Sequence, residues 1–241
     1  VELFNRSAKT IDLKNWSIRN AASKTVWLTT ENLVLPGGEY CVVTPDAGIV
    51  KGEYVRGLQE TFRNVDLPPL NDDEGSVVLL RDDGVVIDSV SYRSEMHSPF
   101  IDDDEGVSLE RISSNEGSAV SNWTSASSAA GFGTPGYLNS NARDPSAPNS
   151  DAVVVHPEII QLYAPSSNFA QIHYRFDKPG FMANVRIYDH QGRSVRQIAS
   201  NELLGTHGFF RWDGDRDNGT AATSGYYMLW FEVFDALGSV N

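Results

Sequence analysis

The sequence predicts an all-β protein made of antiparallel sandwiches, and two observations carry that prediction. Short runs of β-branched, aromatic and aliphatic residues recur along the chain, with almost none of the 3.6-residue periodicity of helices. Segments rich in Gly, Pro, Asn and Asp separate these runs, as turns separate strands. Many short strands at such spacing are typical of an antiparallel sandwich.

The first part of the chain shows the pattern most clearly. Its strand signals are the alternation around Ile11 and Leu13, KTVWLT (24–29), EYCVVT (39–44), SVVLL (76–80) and VVIDSVSY (85–92). The turns between them are LPGGE (35–39), NDDEG (71–75) and RDDG (81–84). One short helix is predicted near residues 45–51, in TPDAGIVK.

A domain boundary is predicted at NSNARDPSAPNSD (139–151), which is rich in Pro, Ser and Asn and offers little to bury. A chain of 241 residues is long for one sandwich and comfortable for two domains. The predicted division is a first domain over 1–139, a linker over 140–155 and a second domain over 156–241.

The second part contains one segment that is apolar on both faces, GYYMLWFEVFD (225–235). Alternation puts Tyr226, Met228 and Trp230 on one face and Tyr227, Leu229, Phe231 and Val233 on the other. Such a strand is either central in its sheet or covered on its outer face by another domain. We favour the second alternative, which makes Tyr226, Met228 and Trp230 an expected interdomain contact.

The sequence resembles two known families, one after the other. In order, the first part contains VELFNRSAKTIDLKNWSI, LPGGEYCVVT, NDDEGSVVLLRDDGVVIDSVSY, GVSLERIS and NWTSASSAAGFGTPGYLN. On these pieces, positions 1–139 resemble a lamin tail domain, an immunoglobulin-like sandwich. On VRIYDHQGRSVRQI and LLGTHGFFRWDGDRDNGTAATSGYYMLWFEVFDALG, positions 156–241 resemble the immunoglobulin-like domain first named for the flagellar hook-capping protein FlgD. The pair is similar to the C-terminal region of large exported proteins of Bacteroidetes.

The resemblance implies two immunoglobulin-like antiparallel β-sandwiches without catalytic residues, in a secreted, cell-surface or periplasmic protein. Its expected partners are upstream domains of the same polypeptide, and other surface proteins or polysaccharide. Each family usually has one more strand than this chain shows, before VELFN and after FDALGSV respectively. We therefore expect a part of a longer polypeptide with an open sheet edge at each end, to which a neighbouring strand can pair.

Composition narrows the function classes. The net charge is −13 and the 19 Lys and Arg are scattered along the sequence, so nucleic-acid binding is not expected. No apolar run approaches the ~18 residues of a membrane-spanning helix. The single cysteine, Cys41, excludes an intrachain disulfide and is expected to be a buried thiol in an apolar strand.

A weak calcium candidate lies in DGDRDNG (213–219), where Asp213, Asp215 and Asp217 alternate. Calcium takes six or more oxygen ligands, and an EF-hand loop needs Gly at its sixth and Glu at its twelfth position. Asn218 and Ser224 occupy those positions. A solvated hairpin turn is therefore the favoured interpretation, with calcium as the alternative and no other cofactor expected.

The remaining motifs favour architecture over chemistry. GFGTPG (131–136) fits a dinucleotide-binding pattern but is not followed by a helix signal, so a turn is expected. The acidic clusters at 71–75 and 101–106 are interpreted as solvated turns. His97 is expected to be structural, bound to loop backbone. The tryptophans, four of which adjoin apolar strand patterns, are expected in the core rather than as sugar-stacking residues.

Three functional hypotheses follow. The first is a non-enzymatic spacer, adhesion or assembly module of a larger secreted or cell-surface protein. The second is an accessory polysaccharide-binding region of an exported hydrolase. The third is a calcium-stabilised module. An enzyme is not expected, because no acid, base, nucleophile or metal-ligand set converges in the sequence.

Overall fold

The structure is a computed structural model that describes residues 1–143, 152–162 and 168–236. These residues divide into two compact units. The first contains Val1–Ala126 and Gly133–Ala142, and the second contains Ser127–Phe132 and the residues from Arg143 onward. Half of the predicted linker, residues 144–151, lies outside the described residues, so its role stays a prediction. Its last residues were expected to be irregular but belong to a strand, Ala152–His156.

The first unit contains eleven of the described strands, most of them short. They are β1 (Glu2–Phe4), β2 (Ile11–Asp12), β3 (Ser17–Asn20), β4 (Thr25–Trp27), β5 (Val34–Leu35), β6 (Tyr40–Thr44), β7 (Phe62–Asn64), β8 (Glu74–Leu80), β9 (Val86–Arg93), β10 (Leu109–Arg111) and β11 (Trp123–Ser125). They form sheets in the orders β1-β6-β7, β4-β3-β8-β9, β2-β5 and β10-β11. All pairs are antiparallel except β6 with β7.

The core of the first unit lies between the sheets that contain β3 and β6. Its buried members are Leu13, Ile18, Leu28, Leu35, Cys41, Val43 and Val65. Cys41 is part of this apolar cluster, and burial raises the pKa of its thiol. The interpretation of Cys41 as a buried structural thiol is confirmed.

One α-helix, α1 (Ala47–Glu53), follows β6. Asp46 caps its N-terminus, because its carboxylate accepts hydrogen bonds from the backbone N–H groups of Gly48 at 2.8 Å and Ile49 at 3.3 Å. The short helix predicted near residues 45–51 is confirmed. None of the helices in the described ranges is long and apolar enough to cross a membrane.

In the described residues, the second unit is a sandwich of two three-stranded antiparallel sheets. Its strands are β12 (Ala152–His156), β13 (Ala170–Arg175), β14 (Met182–Asp189), β15 (Ser194–Leu203), β16 (His207–Trp212) and β17 (Tyr227–Phe234). The sheet orders are β12-β13-β16 and β15-β14-β17. Buried residues from both sheets, including Ile172, Tyr174, Val185 and Val233, form one cluster, so the sheets pack face to face.

A short segment that precedes the predicted boundary belongs to this second unit. In the 3₁₀ turn Ser128–Ala130, the Ser128 hydroxyl accepts a hydrogen bond from the Leu203 N–H at 2.8 Å and lies 3.2 Å from the Leu203 carbonyl oxygen, to which it donates. The sequence assigned this segment to the first domain. The all-β fold class, with mostly antiparallel sheets and one short α-helix, is confirmed.

Candidate interaction surface

An exposed aromatic stripe lies on the outer face of β17. Alternation along β17 points Leu229 and Val233 towards the core and leaves the opposite face to solvent. Tyr226, Met228 and Trp230 are 90%, 58% and 40% exposed. Within the described residues β17 pairs only with β14, so it is an edge strand, and a central position does not explain its two apolar faces.

The neighbouring strand β14 extends this surface. Arg186 is opposite Trp230 in the register, and Tyr188 is opposite Met228. The Arg186 guanidinium carbon lies 5.9 Å from the centre of the Trp230 ring, and the Tyr188 ring meets the Trp230 ring edge-on at 6.4 Å. We call Tyr226, Met228, Trp230, Tyr188 and Arg186 together the aromatic stripe.

Arg186 in the aromatic stripe has an incompletely satisfied guanidinium. Its Nε atom is shielded from solvent and has no hydrogen-bond partner in the structure. Trp, Tyr and Arg are the residues most enriched among those that dominate binding energy in protein interfaces. An exposed stripe of this composition, with an unused donor among its rings, has the chemistry of a binding surface.

The aspartates of the calcium candidate are directed to three different partners. Asp213 accepts a hydrogen bond from Arg211 Nε at 2.8 Å, Asp215 lies 3.5 Å from Arg196, and Asp217 accepts the Gln197 N–H at 2.9 Å. No group of three or more His, Cys, Asp or Glu side chains with metal-binding geometry occurs in the described part of the chain. The three carboxylates therefore hold the loop to the neighbouring strands rather than converging on one point.

His97 lies beside a serine and an acid. Its Nδ1 atom is 2.9 Å from the Ser125 hydroxyl, and its Nε2 atom is 3.9 Å from Asp104 Oδ2. The same hydroxyl accepts the Ser98 N–H at 2.9 Å. The expectation that the ring bonds to loop backbone is wrong, because both ring nitrogens lie near side chains that folding brings close.

This order of serine, histidine and acid has the composition of a catalytic triad but not its accessibility. Ser125 is only 2% exposed, so a substrate carbonyl has no path to its hydroxyl. Burial also lowers the pKa of His97, which favours the neutral ring. The arrangement joins the turn at Ser98 to β11 and is structural.

A second buried polar centre surrounds Glu110 on β10. One carboxylate oxygen accepts the Thr134 hydroxyl at 2.6 Å, and the other accepts the Ser140 hydroxyl at 2.7 Å and the Asn141 N–H at 3.2 Å. Burial raises the pKa of Glu110 although these hydrogen bonds oppose the shift. The sequence did not reveal Glu110 as a buried residue. In LER (109–111) a glutamate that faces the interior and one that faces solvent give the same sequence pattern.

Glu2 binds the same closing segment from β1. Its Oε2 atom accepts the Gly136 N–H at 2.6 Å, and burial raises its pKa to about 7. Gly136 belongs to GFGTPG, whose expected role as a turn agrees with the structure: Gly131 and Gly136 have φ values of 80° and 90°. No α-helix follows this motif in the described residues.

The tryptophans do not all lie in the core. Trp212 is buried and Trp16 packs against the first core, but Trp27 and Trp230 are exposed. The expectation of core packing is wrong for these two. Their neighbours Val26 and Leu229 pack against the cores, so alternation turns both tryptophans to the solvent-facing side of their strands.

Comparison with known proteins supports part of this description. The family model for the Lamin Tail Domain matches residues 1–94, within the first unit. No curated protein matches the sequence. Among solved structures, dimeric latent PorU from Porphyromonas gingivalis matches 73% of this chain and 12% of its own, with 14% identity and a TM-score of 0.30. The first unit thus resembles a lamin tail domain from β1 to β9.

Proposed function

We propose that this chain is a non-catalytic structural and interaction module of a larger secreted or cell-surface bacterial protein. In this proposal the first unit is a lamin tail-like sandwich and the second a FlgD-type immunoglobulin-like sandwich, as in exported Bacteroidetes proteins. The match of the Lamin Tail Domain model to residues 1–94 supports a structural role for the first unit. Spacing, adhesion and assembly are the roles that such a module serves.

The observation that carries the interaction role is the exposure of the aromatic stripe. Burying a fully exposed large apolar side chain is worth about 1.5–3 kcal/mol, and the exposed parts of Tyr226, Met228 and Trp230 would gain a corresponding share under another surface. We propose that the occupant is a neighbouring domain of the same polypeptide.

Hydroxyl-radical footprinting of side chains tests this proposal directly. The chain alone and the longer polypeptide that contains it would be labelled under the same conditions. We expect oxidation of Met228 and Tyr226 to fall several-fold in the longer polypeptide. Phe209, exposed on the other sheet, and Met96, buried in the first unit, are internal controls that should not change. Equal labelling of Met228 in both samples would contradict the proposal.

The alternative function, an accessory polysaccharide-binding region of an exported hydrolase, has its own support. Trp27 and Phe209 are exposed aromatic rings outside the aromatic stripe, and such rings stack on the apolar faces of sugars. A glycan array separates the two proposals, because a domain-contact surface has no reason to retain sugars.

A further inference from the structure

The chain has few sulfur atoms, and one of them lies at the surface. The sequence contains three methionines and one cysteine. Met96 is 5% exposed in the first unit, Met182 is 8% exposed in the second, and Cys41 is 4% exposed. Met228 is 58% exposed, so its thioether is the most accessible of the four sulfur groups.

Met228 lies in the middle of the aromatic stripe. Tyr226 precedes it and Trp230 follows it by two residues on the same face, each about 7 Å away along the chain direction. Tyr188 is opposite Met228 on β14. Three aromatic side chains therefore surround the thioether, and a partner that covers the stripe must cover Met228 as well.

A thioether reacts with peroxides at its sulfur atom. The sulfur lone pair attacks one oxygen of hydrogen peroxide, the O–O bond breaks, and a sulfoxide and one molecule of water form. The sulfur loses two electrons and the peroxide gains them, so no further reactant is needed. The thioether has no proton to lose, and its accessibility therefore sets the rate.

The cysteine is a poorer target than the exposed methionine. Peroxide attacks the thiolate, and burial raises the pKa of the Cys41 thiol, which makes the thiolate scarce. Cys41 also belongs to the apolar core of the first unit. Exposure and chemistry thus both direct peroxide to the second unit.

We propose that Met228 is the site at which peroxides modify this chain, and that the sulfoxide prevents the aromatic stripe from docking to its partner domain. The second half rests on the proposed function of the stripe. Oxidation places a strongly polar S=O group in the middle of an apolar surface. A partner surface that fits the thioether would have to desolvate this group without supplying a hydrogen bond.

Docking and oxidation exclude each other. A docked partner covers Met228, so peroxide reaches the thioether only in molecules whose stripe is free. Oxidised molecules then stay undocked, and their fraction grows with exposure to peroxide. The modification is reversible, because methionine sulfoxide reductases restore the thioether while a dithiol is oxidised to a disulfide and the oxygen leaves as water.

Peroxide treatment of the chain alone tests the modification site. The chain would be incubated with hydrogen peroxide and digested, and the sulfoxide at each methionine would be quantified by mass spectrometry. We expect Met228 to be converted about tenfold faster than Met96 and Met182, which are internal controls in the same molecules. In urea the three rates should become similar, because the fold no longer shields two of them. Similar rates in the folded chain would overturn the inference, whatever the stripe binds.

Footprinting of the longer polypeptide tests the effect on docking. Peroxide treatment would continue until Met228 is converted, and Tyr226 would then be labelled with hydroxyl radicals. We expect labelling of Tyr226 to rise several-fold, to its level in the chain alone. It should fall again after treatment with dithiothreitol and the two reductases that act on the two sulfoxide epimers.

Two leucine variants serve as matched controls, with melting curves to show that each is folded. Met228→Leu has no thioether in the stripe, so its Tyr226 labelling should not respond to peroxide. Met96→Leu removes a methionine from the first unit, and its labelling should respond as the wild type does.

Failure of the inference can be told apart from failure of the proposed function. If Tyr226 stays protected after Met228 is converted, or if Met228→Leu responds to peroxide like the wild type, the inference is overturned and the proposed function stands. If Tyr226 is labelled equally in the untreated polypeptide and in the chain alone, the proposed function fails and the docking half of the inference fails with it. The peroxide rates in the chain alone decide the modification site in either case.

Discussion

The guanidinium of Arg186 lies over the indole ring of Trp230, with 5.9 Å between the guanidinium carbon and the ring centre. The two residues are directly opposite each other on β14 and β17. Trp230 is partly exposed, so the pair is made at the surface and not in the core. The contact holds the aromatic stripe in one arrangement before any partner arrives, which lowers the entropy that binding must overcome.

A double-mutant cycle on this pair measures the contact. We expect Arg186→Ala and Trp230→Ala to show a coupling free energy of about 0.5–1 kcal/mol, the size of a cation–π contact at an exposed site. Urea unfolding of the four proteins provides the values. A second cation–π pair, Lys178 with Phe181, serves for comparison. The Lys178 ammonium lies 5.3 Å from the centre of the Phe181 ring. Additive effects at Arg186 and Trp230 would show that the stripe is not preorganised by this contact.

Glu110 is the polar residue whose removal should cost the first unit most. Glu110→Ala leaves the hydroxyl groups of Thr134 and Ser140 without their acceptor in a buried site. We expect a loss of about 2–4 kcal/mol in the free energy of unfolding. Glu110→Gln should lose less, because the amide oxygen still accepts. Equilibrium unfolding in urea measures both.

The control for Glu110 is an exposed glutamate. Glu31→Ala, in a surface turn, should change the free energy of unfolding by less than about 0.5 kcal/mol. If Glu110→Ala cost no more than Glu31→Ala, the hydrogen bonds of the closing segment would not stabilise the unit.

The raised pKa of Glu2 predicts that the first unit is more stable in mild acid than in mild base. Its pKa is about 7 in the folded chain against 4.5 for the free side chain, mainly because of burial. The folded state therefore binds more protons than the unfolded state between these values. The stabilisation is fully present below pH 4.5 and is lost as the pH rises through about 7.

Glu2→Gln tests this linkage, because a neutral side chain cannot titrate. We expect the variant to remove about 1–3 kcal/mol of the fall in stability between pH 5 and pH 8. His97 contributes with the opposite sign, since burial lowers its pKa and its stabilisation is lost on acidification. Comparing wild type and variant at each pH cancels the histidine term. If the free energies of unfolding of wild type and variant changed in parallel with pH, the assignment to Glu2 would be contradicted.

Calcium should not raise the melting temperature of the chain. Asp213, Asp215 and Asp217 each have a different protein partner, so binding a cation would require breaking those contacts. We expect the same melting midpoint in EDTA and in millimolar calcium. The calcium-stabilised module would be restored as a hypothesis if calcium raised the melting temperature of the chain but not that of the triple variant with Asn at all three positions.

The parts of the fold that the sequence predicted well are those that local patterns determine. The run VVIDSVSY (85–92) corresponds to β9, and SVVLL (76–80) lies within β8. The helix after TPD was predictable because Asp46 caps it from the position directly before its first turn. Each of these signals lies within a few residues of the structure that it specifies.

The polar centres were not predictable, because they depend on register. His97 and Ser125 are 28 residues apart, and Glu110 is 30 residues from Ser140. Alternation indicates which side of a strand a residue occupies but not which residue of another strand is opposite. For the same reason Trp27 had the pattern of a core residue, since alternation is the same on edge strands and on central strands.

One cross-strand pairing occurs in both units and provides a matched test of packing. Gly75 is opposite Tyr92 in the first unit, and Gly208 is opposite Tyr174 in the second. In both pairs the tyrosine ring lies over the glycine, where an added Cβ would clash with it. The missing side chain therefore makes the space that the ring occupies.

The two glycines should differ in their tolerance of alanine. The ring of Tyr174 is buried among Phe176, Phe210 and Phe231, so it cannot move without disturbing the core. We expect Gly208→Ala to lower the free energy of unfolding of the second unit by about 1–3 kcal/mol. Tyr92 is only half-buried, so its ring can shift towards solvent, and Gly75→Ala should cost the first unit less. Unfolding followed by tryptophan fluorescence compares them, and an equal or larger loss in Gly75→Ala would show that ring burial does not set the cost.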